Sequence, residues 1–268
     1  MQLLGVDFTC APSRRKPITV ARGRLAGPVL RLERVDELFT LDAFEALIAE
    51  PGPWLGAFDF PFGLPRAFVD DLGLGADAAA VVREARRRAP TRLAWRALVD
   101  AWGNGRPAGQ RLLHRRCDGA MAGVTSSSPL QTRYVPVGFM WYEGFGRLVQ
   151  AGVHVPWLGG GDAARTALEG YPGLLAFEIA GRRSYKNSTE PDRLITRKDI
   201  VGALEQGRTR LGLRLKLSPA QHEALVDDAS GDRLDAVLCL LQAAWAASRA
   251  DAGLPAGVDP VEGWITSA

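Results

Sequence analysis

Cysteine is scarce in this chain of 268 residues: Cys10, Cys117 and Cys239 stand far apart, with no CxxC pair among them. That excludes a disulfide framework and a thiolate zinc site, and the thiols are expected to be buried or incidental. Histidine is equally rare: His114 and His154 lack partners at metal-ligand spacing and read as structural or incidental, and His222 reads as a surface residue on a polar helix. No uninterrupted apolar run reaches the length of a membrane-spanning helix, and no basic segment followed by an apolar stretch opens the chain. A cytoplasmic location with no membrane partner is therefore expected. Internal repeats and low-complexity segments are missing as well.

What is present is the composition of an ordinary globular protein, 47% hydrophobic and 24% charged,. The length suits one α/β domain carrying an insertion. Net charge is only +3, but it is segregated. Between Arg83 and Arg116 ten arginines face only Glu84 and Asp100, a local excess of +8 that leaves −5 elsewhere. Such a stripe can attract polyanions through counterion release. It can equally reflect arginine-rich coding, since only four of the 33 basic residues are lysine.

Apolar alternation and turn residues predict three opening strands, Leu3 to Asp7, Ile18 to Leu25 and Val29 to Val35. A helix over Asp42 to Glu50, capped by Thr40 or Asp42, is stopped by Pro51-Gly52-Pro53. Trp54 to Phe58 is apolar throughout, as in a strand buried on both faces, and is expected to be central and parallel to the first. The helix-and-loop-rich stretch at about 76–157 reads as an insertion. A strand at Ala163 to Leu168 follows, making five in all, then helices over Gly173 to Ala180 and Arg197 to Leu204. A last helix starts at Ser230 or Gly231, with Leu234, Leu238, Leu241 and Trp245 forming one stripe and Asp232 and Asp235 at its edge.

Three of the predicted strands end on acids. Leu3-Leu4-Gly5-Val6 runs into Asp7, Trp54-Leu55-Gly56-Ala57-Phe58 into Asp59, and Ala167-Leu168 into Glu169. Open α/β sheets gather ligands outside the carboxyl ends of their strands. Carboxylates crowded there repel one another, and a divalent cation relieves the repulsion. Each acid also has a plainer role. Asp7 and Asp59 can cap the turn after a strand, Asp232 can complement a helix dipole, and Glu169 can sit in a surface turn.

The order of elements is that of a ribonuclease H-like fold: a mixed five-stranded sheet, with a three-strand antiparallel meander and two parallel strands, flanked by helices. Gly5-Val6-Asp7-Phe8-Thr9, Phe58-Asp59-Phe60-Pro61-Phe62-Gly63-Leu64-Pro65, Glu169-Gly170-Tyr171-Pro172 and Asp232-Arg233-Leu234-Asp235-Ala236 together resemble the domain of unknown function 429 family. That family is regarded as predicted nucleases related to Holliday-junction resolvases. The resemblance extends to Arg115-Arg116-Cys117-Asp118, Ser184-Tyr185-Lys186 and Glu262-Gly263-Trp264-Ile265. It implies a metal-dependent nuclease with nucleic acid as partner and catalytic acids at Asp7, Asp59, Glu169, Asp232 and Asp235. An all-carboxylate site suits Mg2+ or Mn2+. On this reading Asp7 bridges two ions, Asp59 and Asp235 each hold one, and Asp232 or Glu169 completes the shell. A homo-oligomer stays open.

Arg115, Arg116 and Lys186 are candidate phosphate ligands, arginine through paired hydrogen bonds and lysine as a point charge; solvated surface cations are the alternative. The aromatic-rich segment Val135 to Tyr142 can stack exposed bases or form the insertion's own core. Ser126-Ser127-Ser128 has no GxSxG context, which argues against a serine hydrolase. Two rival functions remain: an actin-like phosphotransferase or ATPase, and a non-catalytic binding module. The first is disfavoured by Phe8-Thr9-Cys10 where a glycine loop is needed and by Pro61, which removes an N–H donor.

Overall fold

The computed structural model describes residues 1–268. Its sheet has seven strands: β1 (Gln2–Asp7), β2 (Ile18–Ala26), β3 (Val29–Leu38), β4 (Trp54–Phe58), β5 (Val153–His154), β6 (Asp162–Glu169) and β7 (Arg214–Lys216). They lie in the order β5-β6-β4-β1-β2-β3-β7. β1, β2 and β3 form the antiparallel meander, and β4 is central, parallel to both β1 and β6. Two strands exceed the five expected. β5 and β7 are edge strands of two and three residues, too short to leave an apolar run in the sequence, and each pairs in parallel with a neighbour.

The helices are α1 (Leu41–Ile48), α2 (Arg66–Leu72), α3 (Ala78–Arg88), α4 (Arg92–Asn104), α5 (Val137–Met140), α6 (Gly146–Gln150), α7 (Pro172–Ala180), α8 (Pro191–Glu205), α9 (Pro219–Asp227) and α10 (Asp232–Ala247). A π turn over Trp141–Phe145 joins α5 to α6. Thr40 caps α1, its hydroxyl accepting from the Ala43 N–H at 3.0 Å. α8 begins six residues before the expected Arg197 because Pro191 sits at its first turn, where a missing N–H costs nothing,. α9 was not expected; Ser218 and Gln221 close it with a capping box,.

Strand side chains alternate between two helical layers. Leu4, Val6, Trp54, Phe58 and Ala167 face a cluster that includes Phe44, Trp95, Phe139, Trp141 and Phe145. Leu3, Leu55, Ala57 and Leu168 face the cluster built on α7, α8 and α10. The 76–157 stretch therefore shares the core of the first layer, and β5 within it extends the sheet. No helix is long and apolar enough to cross a membrane.

The second layer sits very close to the sheet at Gly5. A Cβ built there would lie 2.1 Å from both the Ala236 carbonyl oxygen and the Leu240 nitrogen. α10 thus rests its backbone directly on β1. Thirteen of its sixteen residues are buried, including Asp232 and Asp235 in its first turn, so this is a core helix that carries acids to the strand ends.

Candidate metal centre

Asp7 closes β1 and Asp59 follows β4. The Asp59 N–H donates to the Val6 carbonyl at 2.8 Å, continuing the parallel ladder one residue beyond the strand. By alternation both side chains belong to the face of Leu3, Leu55 and Ala57, the face covered by α10,. Asp235 lies one helical residue before Ala236, which touches Gly5. Three distant stretches of chain thus converge. One carboxylate oxygen from each of Asp7, Asp59 and Asp235 lies within 4.8 Å of the others.

The environment is electrostatically tense. Burial, then the charge of Asp59, pushes the Asp7 carboxyl well above its usual range. Burial raises Asp59 to about 6, opposed by Lys186 and Lys16 and reinforced by Glu169. Two lysines answer these charges. Lys186 places its ammonium against Asp235 Oδ2, whose partner oxygen Oδ1 accepts from the Tyr185 hydroxyl. Gly231, at φ +80, makes room for the Lys186 stem, since a Cβ there would sit 2.8 Å from Lys186 Cγ. Lys16, from the loop after β1, reaches Asp232 at 2.7 and 2.9 Å.

The other expected acids are differently employed. Asp232 is engaged by Lys16 and lies outside the three-carboxylate cluster. Glu169 stands opposite Phe58, not Asp59, in the β4–β6 register, and so points to the opposite face. There Arg115 grips both its oxygens at 2.6 and 2.8 Å, and the Phe62 N–H donates to Oε2 at 2.8 Å. Burial still raises the Glu169 carboxyl, with Arg115 pulling the other way.

Arg115, a candidate phosphate ligand or surface cation from the sequence, is neither free nor exposed: it is buried between Glu169 and Asp118 and also donates to the Glu262 carbonyl. Its guanidinium holds together the insertion, β6 and the C-terminal segment. Arg116 has an exposed side chain, while its N–H donates to Glu262 Oε2 at 2.9 Å. Of the ten stripe arginines, only Arg83 and Arg116 have no side-chain partner within the chain; Arg86, Arg92 and Arg96, for example, bind the carbonyls of Tyr142, Cys10 and Thr132. Most of the local basic excess thus ties the insertion to itself and to its neighbours.

Sequence reasoning missed Lys16 and Tyr185. The basic run Arg14-Arg15-Lys16 directly after the first strand was the available signal for Lys16. Tyr185 stood inside a quoted motif, but only the fold shows its hydroxyl on Asp235. Beside Asp59 a cleft of about 150 Å3 opens toward the insertion, with Phe60, Pro61, Ser127, Val135, Met140 and Tyr171 among its walls. Comparison of the chain with models of protein families, with curated proteins and with solved structures gives no match.

Proposed function

We propose that the protein is a metal-dependent phosphodiesterase acting on nucleic acid, built on a ribonuclease H-like sheet of the kind the domain of unknown function 429 family implies. The observation that carries this reading is the convergence of Asp7, Asp59 and Asp235 oxygens within 4.8 Å at adjacent strand ends. The donor set fits Mg2+ or Mn2+: it is all oxygen, hard and anionic, with no histidine or thiolate among the three. Burial of like charges fits as well, because a cation compensates what solvent cannot reach,.

A divalent ion held by these carboxylates supplies a Lewis acid for a phosphoryl oxygen and a water of lowered pKa. The chain's own residues provide the rest of the setting. Asp7, Asp59 and Asp235 are the residues that would hold the ion. Lys186 and Lys16 bring positive charge to the same end of the sheet, where a phosphate would sit,. Tyr185 orients the Asp235 carboxylate by donating to Oδ1.

The test is cleavage of single-stranded, duplex, branched and RNA/DNA hybrid substrates in Mg2+ or Mn2+, with Asp7→Asn and Asp59→Asn alongside. Cleavage that needs the metal and disappears in both variants supports the reading. Activity indifferent to both substitutions, or binding without cleavage of any substrate, overturns it in favour of a binding module.

A further inference from the structure

We propose that the cleft beside Asp59 receives a single unstacked nucleobase, so that the substrate is single-stranded or frayed nucleic acid and not intact duplex. The inference rests on the nucleic-acid part of the proposed function. It begins with the divided surroundings of Asp59. On one side stand Lys186, against Asp235, and Lys16, against Asp232, both at the first turn of α10. On the other lies the cleft of about 150 Å3, walled by Phe60, Pro61, Val135, Met140 and Tyr171.

The floor of that cleft rejects phosphate. Arg115 and Glu169 both line it, but the guanidinium is taken up by Glu169 and Asp118, leaving one negative charge in excess among the three. A phosphate would meet repulsion there, whereas a neutral ring carrying N–H donors would not. The volume is well below the roughly 300 Å3 at which pockets for larger ligands begin, and it matches one small planar body. The two sides of Asp59 thus differ in charge as the two parts of a nucleotide differ.

The walls supply a second, separate observation. Tyr171 lines the cleft and is partly exposed, whereas Phe60 is 2% exposed. Val135 is 58% exposed and lines the cleft as well. The aromatic segment that follows is used differently: Phe139, Trp141 and Tyr142 are buried in the core cluster shared with β1 and β4. Tyr171 is therefore the cleft aromatic left to stack on a base entering beside Val135. The serine triplet also sorts itself. Ser126 donates to Asp118 and Ser128 to the Leu113 carbonyl, while Ser127 has no hydrogen-bond partner in the chain and faces the cleft.

The test is equilibrium binding of short fluorescein-labelled DNA, single-stranded and as duplex of the same sequence, followed by anisotropy in Ca2+ with a gel to confirm intact strands. Wild type, Tyr171→Leu and Ser127→Phe are compared; leucine keeps an apolar side chain at the partly buried Tyr171, and Ser127 is exposed, so both variants keep the core. Wild type should bind the single strand at least about tenfold more tightly than duplex. Each variant should lose about tenfold on the single strand and nothing on duplex, the loss expected for one base stack. Equal affinity for the two forms, no binding of either, or single-strand affinity unchanged in both variants overturns the inference. Binding and cleavage are read separately. Single-strand preference without cleavage in Mn2+ removes the nuclease reading and leaves the base site standing, whereas cleavage without single-strand preference does the reverse.

Discussion

Glu169 lies directly across from Phe58 in the parallel ladder, so Gly170 occupies the level of Asp59. Because strand side chains alternate, this offset of one residue decides which face an acid serves. Asp7 and Asp59 meet Asp235 beneath α10, and Glu169 meets Arg115 beneath the insertion.

Glu169→Gln should therefore act on stability more than on metal binding. Arg115 keeps Asp118 as its counter-charge, but the new amide puts an NH2 group where Glu169 accepts from Arg115 or from the Phe62 N–H, and a buried donor left unsatisfied costs about 1–3 kcal/mol,. Urea denaturation should show a large drop in midpoint, with Mn2+ affinity of the folded protein little changed. A folded variant of full stability that no longer binds Mn2+ would instead place Glu169 among the ligands.

Gly5→Ala tests the approach of α10. The new methyl meets helix backbone, which cannot rotate away as a side chain can. Overpacking of this kind costs about 1–3 kcal/mol or more, and relief requires α10 to lift, carrying Asp235 from Asp7 and Asp59. Thermal unfolding should move down and Mn2+ affinity should fall together. The same substitution at Gly27, where nothing lies within 4 Å, should leave Mn2+ affinity intact.

Stability of the metal-free protein should fall as pH rises. An aspartate in the unfolded chain titrates near 3.9, whereas burial holds Asp59 at about 6 and Asp7 well above its usual range. Over that window the folded state binds more protons than the unfolded one, so these groups stabilise at low pH and lose that contribution as pH climbs through 6. For Asp59 the displacement corresponds to roughly 3 kcal/mol. Unfolding midpoints at pH 5 and 7.5 in wild type and Asp59→Asn check this: the variant should show the flatter dependence. Added Mn2+ should restore stability at pH 7.5 and do little at pH 5.

Lys186 competes with a cation for Asp235. Its ammonium rests against Oδ2, a candidate ligand oxygen, and its charge favours ionised Asp7 and Asp59. Lys186→Met should tighten Mn2+ by about tenfold, given the energy of a nearby unit charge at a protein surface. It should also lower metal-free stability at pH 7.5. Weaker Mn2+ binding in this variant would mean that Lys186 positions Asp235 instead of opposing the ion.

The sheet centre was legible because β1 and β4 are apolar runs that end abruptly on acids, and α10 because its leucines repeat at helical spacing. β5 and β7 were not, since edge strands of two and three residues borrow their order from a neighbour. Within the site, Asp7, Asp59 and Asp235 could be read from strand ends and a helix start. The fate of Glu169 and Arg115 could not, because it depends on a register fixed by long-range pairing. The role of the arginine stripe stayed open in the sequence for a related reason: which guanidiniums meet a carbonyl is decided only when the 76–157 stretch packs.

The most direct measurement is a Mn2+ titration of the metal-free protein at pH 7.5, followed by electron paramagnetic resonance of the free ion. Wild type should show saturable binding that Asp7→Asn and Asp59→Asn each abolish while remaining folded. Wild-type protein that leaves Mn2+ free, or binding undiminished in both variants, would contradict a cation site formed by these carboxylates.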